Sequence, residues 1–364
     1  MIETDFIFSP NDSNGPVEGR ISWKSPSNIA LVKYWGKTEP QIPKNASISF
    51  TLTNCHTTTT LYYAPRENTD DNFEFSVWFE GEEKTSFKPK ILEFFRRIEA
   101  YVPFVKQYKF QIETQNSFPH SSGIASSASG MSALALCLMS LQKSMDPQLT
   151  DAQFYTKASF LARLGSGSAS RSISGPLVVW GQHPNIYASN DLYGIPYPGE
   201  VHEIFNTYHD TILLVDKGVK KVSSTFGHKL MIGHPFAEAR FVQAQDNLSR
   251  MIPILRNGDL DGFTDLVEKE ALSLHAMMLT SDPYFLLMKP NTLKIIEKIW
   301  EFRRSSGCHI CFTLDAGANV HVLFPEKDQK RVTGFIKSKL SGFCQNKQYI
   351  SDQVGQGAHQ MDDI

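Results

Sequence analysis

The stretch "FPHSSGIASSASGMSALALCLMSL", Phe118 to Leu141, decides how this chain folds. Its first half is built from Pro, Gly, Ser and Ala, and it runs directly into a long apolar segment with helical spacing. Small residues let a backbone approach a ligand closely. The first N–H groups of the following helix have no partner inside it and carry partial positive charge. Phosphate suits such a place. The loop is not a Walker sequence, because no Gly-Lys-Ser/Thr closes it. A helix start capped by its own serines would use the same residues, so the surroundings must decide.

Upstream, "NIALVKYW" and the alternating, Thr-rich "ASISFTLTNCHTTTTLYYA" (46–64) read as strands, and "NFEFSVWFEG" with "EKTSF" as a hairpin. A helix follows over "KPKILEFFRRIEAYV", then the strand "KFQIETQNSF". Downstream, "TDAQFYTKASFLARLG" is a helix N-capped by Thr150 or Asp151, followed by a second small-residue loop, "GSGSASRSISG", and the strand "PLVVWG". Beyond about residue 203 the rhythm restarts with the strand "HDTILLVDK" and helices over 235–255, 261–279 and 290–306. Two strands then fold around "LDAGAN", and a last helix covers 328–340. Strands and helices mix without a β-α-β repeat. The expectation is an α+β protein of two domains, 1–203 (with a lead-in over 1–20) and 204–344, with a cleft between them and the tail 345–364 packing back on the first.

Length and composition agree with this and exclude other classes. The 364 residues can bury a large core, and 41% hydrophobic, 20% charged and a net charge of −2 are ordinary for a soluble globular chain. Without a basic excess there is no electrostatic case for nucleic acid as a partner. No apolar run approaches the ~20 residues of a membrane span, and the start lacks the basic, then apolar, pattern of a signal peptide. The expected location is the cytosol. Five cysteines do not make a disulfide framework, and Cys308 and Cys311, although spaced C-x-x-C, read as reduced core thiols.

Three further features carry charge or polarity where it is costly. Asp315 sits in "HICFTLDAGANVHVLF" between two apolar runs, so its carboxylate needs partners. Lys33, in "NIALVKYWGK", follows an apolar strand and needs an acid. In "GSGSASRSISG" one arginine, Arg171, stands among hydroxyls able to donate at close range. Together with the first loop, these describe an anion site with cationic clamps and one acid, which suits phosphoryl transfer.

"NIALVKYWGK", "PKNASISFTL", "FPHSSGIASSASG", "GSGSASRSISG" and "LDAGANV" resemble, in order and spacing, the motifs of the diphosphomevalonate decarboxylase family of the GHMP kinase superfamily, over roughly residues 20–325. The resemblance implies an N-terminal domain like domain 2 of ribosomal protein S5, a ferredoxin-like C-terminal domain and an active site between them. It implies ATP and Mg²⁺, 5-diphosphomevalonate as substrate, isopentenyl diphosphate as product, and a homodimer. A 5-phosphomevalonate decarboxylase and a mevalonate-type kinase without decarboxylation are the alternatives.

The implied roles fall on definite positions. Asp315 is the acid at the tertiary hydroxyl, Lys33 its cationic neighbour, and Arg171 the holder of the substrate carboxylate. Asn28 supports the Lys33–Asp315 pair by hydrogen bonding. Tyr34, Trp35, Gly36 and Lys37 line the substrate site, completed by Ser166, Gly167, Ser168, Ala169 and Ser170 and by Thr225. Gly123, Ala125, Ser126 and Ser127 fall in the ATP phosphate loop. No residue is named as a direct metal ligand. Lys84 is the candidate for a basic residue that the family uses between its first and second motifs. Ala318 stands where many members carry Pro, which should loosen the turn after Asp315, and His120-Ser121-Ser122 replaces a more usual Thr-Ala-Ala or Thr-Ala-Ser.

Overall fold

Two long strands frame the first half of the computed structural model, which describes residues 1–8, 15–67, 70–119, 124–218 and 224–361. β1 (Gly19–Val32) and β4 (Ser47–Pro65) pair antiparallel along most of their length, and between them the chain makes a small hairpin, β2 (Lys37–Thr38) with β3 (Ile42–Pro43). β5 (Glu74–Phe79), β6 (Glu82–Glu83) and β7 (Tyr108–Asn116) extend the sheet beyond β4, while β8 (Leu177–Trp180) pairs with the start of β4 and with β9 (Ile195–Pro196). The alternation in β4 works as period-two patterning should: Cys55, Thr57, Thr59 and Leu61 are buried, and the residues between them face outward.

Helices α1 (Lys88–Ile98), α2 (Ser126–Met145) and α3 (Asp151–Gly165) cover one face of this sheet. α2 is apolar on nearly every side because it lies between the sheet and α3, and its Leu134, Leu136 and Leu138 join Phe94, Phe95 and Phe160 in the core. Thr150 caps α3 by accepting the N–H of Gln153, whose side chain returns to the Thr150 backbone.

The second half is a four-stranded sheet ordered β11 (Cys311–Thr313), β12 (Val320–Phe324), β10 (His209–Leu213), β13 (Tyr349–Gln353). The same half holds α4 (Ser224–Lys229), α5 (Ala237–Asn257), α6 (Leu260–Leu279), α7 (Pro290–Ser306) and α8 (Gln329–Phe335), of which α6 and α7 lie against β11. A last strand, β14 (His359–Gln360), pairs with Trp23 and Lys24 of β1. One apolar cluster joins the halves: Ile29, Val32 and Phe50 of the first sheet pack with Leu248, Met251 and Phe263 of α5 and α6.

Four local expectations change. β1 starts at Gly19, not Asn28, because Arg20–Pro26 find ladder partners in β4, and it ends at Val32, which releases Lys33–Gly36 from the sheet. Thr85–Phe87 form a 3-10 turn leading into α1 instead of a strand. The last helix does not run unbroken to Leu340; from Ile336 it widens into a π-turn. The second small-residue loop is not an open connection but a 3-10 helix, Gly167–Ser172.

Candidate active site

Lys33 is the first residue past the end of β1, and Asp315 the second past the end of β11, so the two sheets aim them at each other. The Lys33 Nζ lies 3.1 Å from the Asp315 Oδ1, with the lysine side chain 2% exposed and the carboxylate 26% exposed. Loss of hydration is the largest influence on Lys33 and pulls its pKa below the usual lysine range; Asp315 and Glu270 oppose that, and Arg171 adds to it. The backbone is held as firmly as the ammonium. Lys33 N–H donates to Glu270 Oε2 at 2.8 Å, and its carbonyl accepts from Asn45 Nδ2 at 3.0 Å. Glu270, fully buried, also accepts from Arg240 through both oxygens (3.1 and 2.5 Å) and from Asn247 at 2.6 Å.

The turn after Asp315 is pinned despite Ala318. Gly317 N–H returns to the Asp315 carbonyl at 2.7 Å, Thr292 Oγ1 donates to the Ala318 carbonyl at 2.7 Å, and Asn319 Oδ1 accepts the Asp216 N–H at 2.9 Å. His275 Nε2 donates to the Asp315 carbonyl at 3.1 Å, and burial pushes this imidazole down to about 4, so it serves as a neutral donor. The turn is therefore tied by side chains, which compensates for a missing proline ring.

Arg171 is brought in by the 3-10 helix and is only 3% exposed. Its Nη1 donates to Ser47 Oγ at 2.5 Å, its guanidinium lies 5.8 Å from the Trp180 ring centroid, and its Nε has no partner among the described residues. Burial lowers its pKa to about 10, opposed chiefly by the Asp315 carboxylate. An anion would satisfy both the buried charge and the idle N–H. Beside it, Gly167 fits where no other residue would: a Cβ there would meet the Trp180 ring at 2.7 Å and the Tyr34 hydroxyl at 2.9 Å. The Tyr34 hydroxyl likewise has no partner.

Other expected residues take different positions. Asn28 does not reach the Lys33–Asp315 pair with its amide donor; Nδ2 donates to the Ser168 carbonyl (3.2 Å) and to Ser172 Oγ (2.8 Å), so it fastens the 3-10 helix to β1. Ala169 is fully enclosed in the core behind the site, and the hydroxyl of Ser170 turns inward to the Gly167 carbonyl at 2.8 Å. Of this group Ser166 and Ser168 remain half-buried, with Ser166 Oγ 3.4 Å from Ser127 Oγ. Trp35 packs against Met231, Phe241, Leu274 and Met277, behind the turn. Gly36 has φ +98°, which supplies the turn after it, and Lys37 is engaged by Gln41 (2.8 Å) and Glu39 (3.2 Å). Gly123 and the side chain of Thr225 lie outside the described residues.

At the start of α2, Ala125 is left-handed (φ 47°) and no side chain caps the helix. Beside that start lies a cavity of about 240 Å³ with apolar walls from Phe79, Phe87, Ile91 and Met131 and with Lys90, Ser126 and Ser127 at its polar end. Lys90, not the exposed Lys84, is the basic residue here. Loss of hydration first, then Lys37, pulls its ammonium down to about 8, although the residue as a whole keeps much of its surface in water. In the sequence Lys90 is one of several charged residues on an amphipathic helix, and nothing there sets it apart. Asn45 lay within the quoted "PKNASISFTL", and His228 follows Thr225 by three residues on the same short helix, whereas Glu270 and His275 sit on a helix that nothing in the sequence tied to the site.

Known proteins match both halves. Residues 25–191 match the diphosphomevalonate decarboxylase-like N-terminal domain, and residues 211–363 the mevalonate 5-diphosphate decarboxylase C-terminal domain. The diphosphomevalonate decarboxylase of Debaryomyces hansenii is 30% identical over 346 residues, 88% of this chain and 84% of that protein. The structure of mevalonate diphosphate decarboxylase from Staphylococcus aureus superposes with a TM-score of 0.80 at 27% identity, covering 95% of this chain and 99% of that one. MDDEF in complex with MVAPP, AMPPCP and magnesium gives a TM-score of 0.81 at 26% identity, over 95% of this chain and 100% of that one. Fold and cleft define an enzyme of the two-domain GHMP kinase type. Within that class the chain belongs to the diphosphomevalonate decarboxylase family.

Proposed function

We propose that this chain converts (R)-5-diphosphomevalonate to isopentenyl diphosphate, with ATP becoming ADP and with release of phosphate and carbon dioxide. The observation that carries it is the Lys33–Asp315 pair, 3.1 Å apart, with the buried Arg171 close enough to feel the same carboxylate. A tertiary hydroxyl is a poor leaving group, so the γ-phosphoryl of ATP is first placed on its oxygen. The C–O bond to that phosphate then breaks as the bond to the carboxylate carbon breaks. The electron pair released with carbon dioxide forms the double bond.

Asp315 receives the hydrogen bond of the 3-hydroxyl, orients its oxygen and takes its proton as the new O–P bond forms and the bond to ADP breaks. Lys33 keeps that acid ionised beforehand and balances charge as the phosphoryl passes. Arg171 holds the substrate carboxylate, and Tyr34 and Lys37 lie on the diphosphate side. Ser126, Ser127 and the uncapped start of α2 receive the ATP phosphates with Lys90, and the apolar cavity takes the base. These groups fit a polyanion. Among the described residues no three His, Cys, Asp or Glu cluster as metal ligands. Mg²⁺ held largely by phosphate oxygens and water, which is its habit, suits that donor set and supplies charge neutralisation when bound.

The tail after 344 does not simply return to the first half: Tyr349–Gln353 complete the second sheet, while Val354, bridging to Leu52, and β14 join the first. The same reading takes residues 1–203 as one domain and 204–344, with that strand added, as the other. Two separate sheets and two family matches meeting between 191 and 211 support it. It also takes the enzyme as a cytoplasmic homodimer, with five free, buried cysteines in keeping with a reducing compartment. Among the described residues no helix is long and apolar enough to cross a membrane. The test is to incubate the purified protein with Mg-ATP and, separately, mevalonate, 5-phosphomevalonate and 5-diphosphomevalonate, measuring ADP and carbon dioxide. Equal amounts of both from 5-diphosphomevalonate alone is the expected result. ADP without carbon dioxide would make it a kinase, and turnover of the monophosphate alone would make it the sister decarboxylase.

A further inference from the structure

His228 belongs to α4, in the second half of the chain, and yet it is packed into the Tyr34–Lys37 turn. Its ring centroid lies 4.3 Å from that of Tyr34 and 4.6 Å from that of Trp35. Gly36 N–H donates to its Nδ1 at 2.9 Å. That bond decides the tautomer: Nδ1 has no proton, so the neutral ring carries its hydrogen on Nε2. The residue is 8% exposed, Nε2 has no partner among the described residues, and it is not one of the polar atoms sealed from solvent without one. Burial holds the imidazole down at about 3, with Lys37 and then Arg171 adding to the effect, so the ring is neutral near pH 7. Both cations that the proposed function assigns to the substrate therefore reach this ring.

We infer that His228 is a substrate-positioning residue with two separate duties: Nδ1 holds the Tyr34–Lys37 turn through Gly36, and Nε2–H donates to the anionic diphosphate side of the substrate. This rests on the proposed function for the identity of the substrate. A neutral donor between two cations suits an oxyanion, because it adds a directed hydrogen bond without a third charge to repel the lysine and the arginine when the site is empty.

The two duties separate by substitution. His228→Asn retains an acceptor near the Nδ1 position and loses the Nε2 donor. His228→Gln places an amide donor near Nε2 and loses the acceptor for Gly36, and His228→Ala loses both. Steady-state kinetics with each variant, varying 5-diphosphomevalonate and ATP in turn, reads them out, alongside calorimetric binding of 5-diphosphomevalonate without ATP. For His228→Asn the expectation is a KM and Kd for 5-diphosphomevalonate raised about tenfold or more, the scale of a hydrogen bond to a charged group, with the KM for ATP unmoved. His228→Gln should keep substrate affinity closer to the parent than His228→Ala does. A His228→Asn variant with the parent's KM and Kd overturns the donor role, and so does an equal rise in the KM for ATP. A parent enzyme that neither binds 5-diphosphomevalonate nor releases carbon dioxide from it overturns the underlying function instead.

Discussion

Asp315 is tolerated at the end of an apolar sheet because Lys33 meets it at 3.1 Å and because the turn that carries it is tied at three carbonyl or amide positions. Asp315→Asn keeps the shape and removes the charge. Turnover should fall by at least about a thousandfold, since an amide can neither accept a proton nor pair with the lysine, while the Kd for ATP measured by calorimetry stays within a few-fold. Near-parental turnover would remove Asp315 from the chemistry. Arg171→Gln tests the other cation. It keeps a donor but loses the bidentate charge, so kcat/KM for 5-diphosphomevalonate should drop about a hundredfold, and an unchanged value would take Arg171 out of the site. Both residues were legible because charge stood in apolar or hydroxyl-rich surroundings. The amide donor of Asn28 meets a demand that the sequence does not display: the carbonyl of Ser168 and the hydroxyl of Ser172 lie within its reach. Backbone demands of that kind leave no mark on side-chain spacing.

At the scale of elements, periodicity located strands and helices but not what fastens them. β4 was evident from alternation, yet its middle depends on β13: the Asp352 carboxylate, 3% exposed, accepts the N–H groups of Thr53 and Asn54 on one oxygen (2.9 and 2.8 Å) and of Cys55 on the other (2.7 Å). These donors lie where β4 turns from β8 towards β7 as its neighbour, and without the acid that of Cys55 would be buried and idle. Asp352→Ala should therefore cost about 3 kcal/mol, the scale of charge-assisted bonds left unmade, read as a lower midpoint in urea with the slope unchanged. A midpoint within error of the parent would mean that water replaces the carboxylate. From sequence, Asp352 was one acid in a polar tail, because the three amides it serves are about three hundred positions away in the chain. The small-residue loop had the same blind side, since its 3-10 winding is set by Ser159, Ser170 and Asn28 bonding to carbonyls that no pattern displays.

At the scale of the molecule, the site exists only where the two sheets meet, and Glu270 is the fastening. It takes the Lys33 backbone from the first half and Arg240 and Asn247 from α5 of the second, all out of water. The α+β class and the cleft were readable from the mixed order of elements and from motifs falling in both halves, but this joint was not, because a glutamate on an amphipathic helix looks like any solvated acid until its partners are known. Glu270 also attracts the Lys33 ammonium, whose pKa is already held below the lysine range by burial. The sign of its removal follows. Lys33 acts charged, so activity is lost as pH rises through its pKa, and this sets the alkaline limb of the kcat profile. Glu270→Gln deletes a charge that raises that pKa and leaves Arg240 uncompensated, which lowers it further. The alkaline limb should therefore move to lower pH, by about one unit, with the acid limb in place. A variant that is merely less stable would lose activity at every pH and keep both limbs where they were. An alkaline limb that stays put or moves upward in folded Glu270→Gln would show that Lys33 does not feel this charge and that Glu270 only joins the halves.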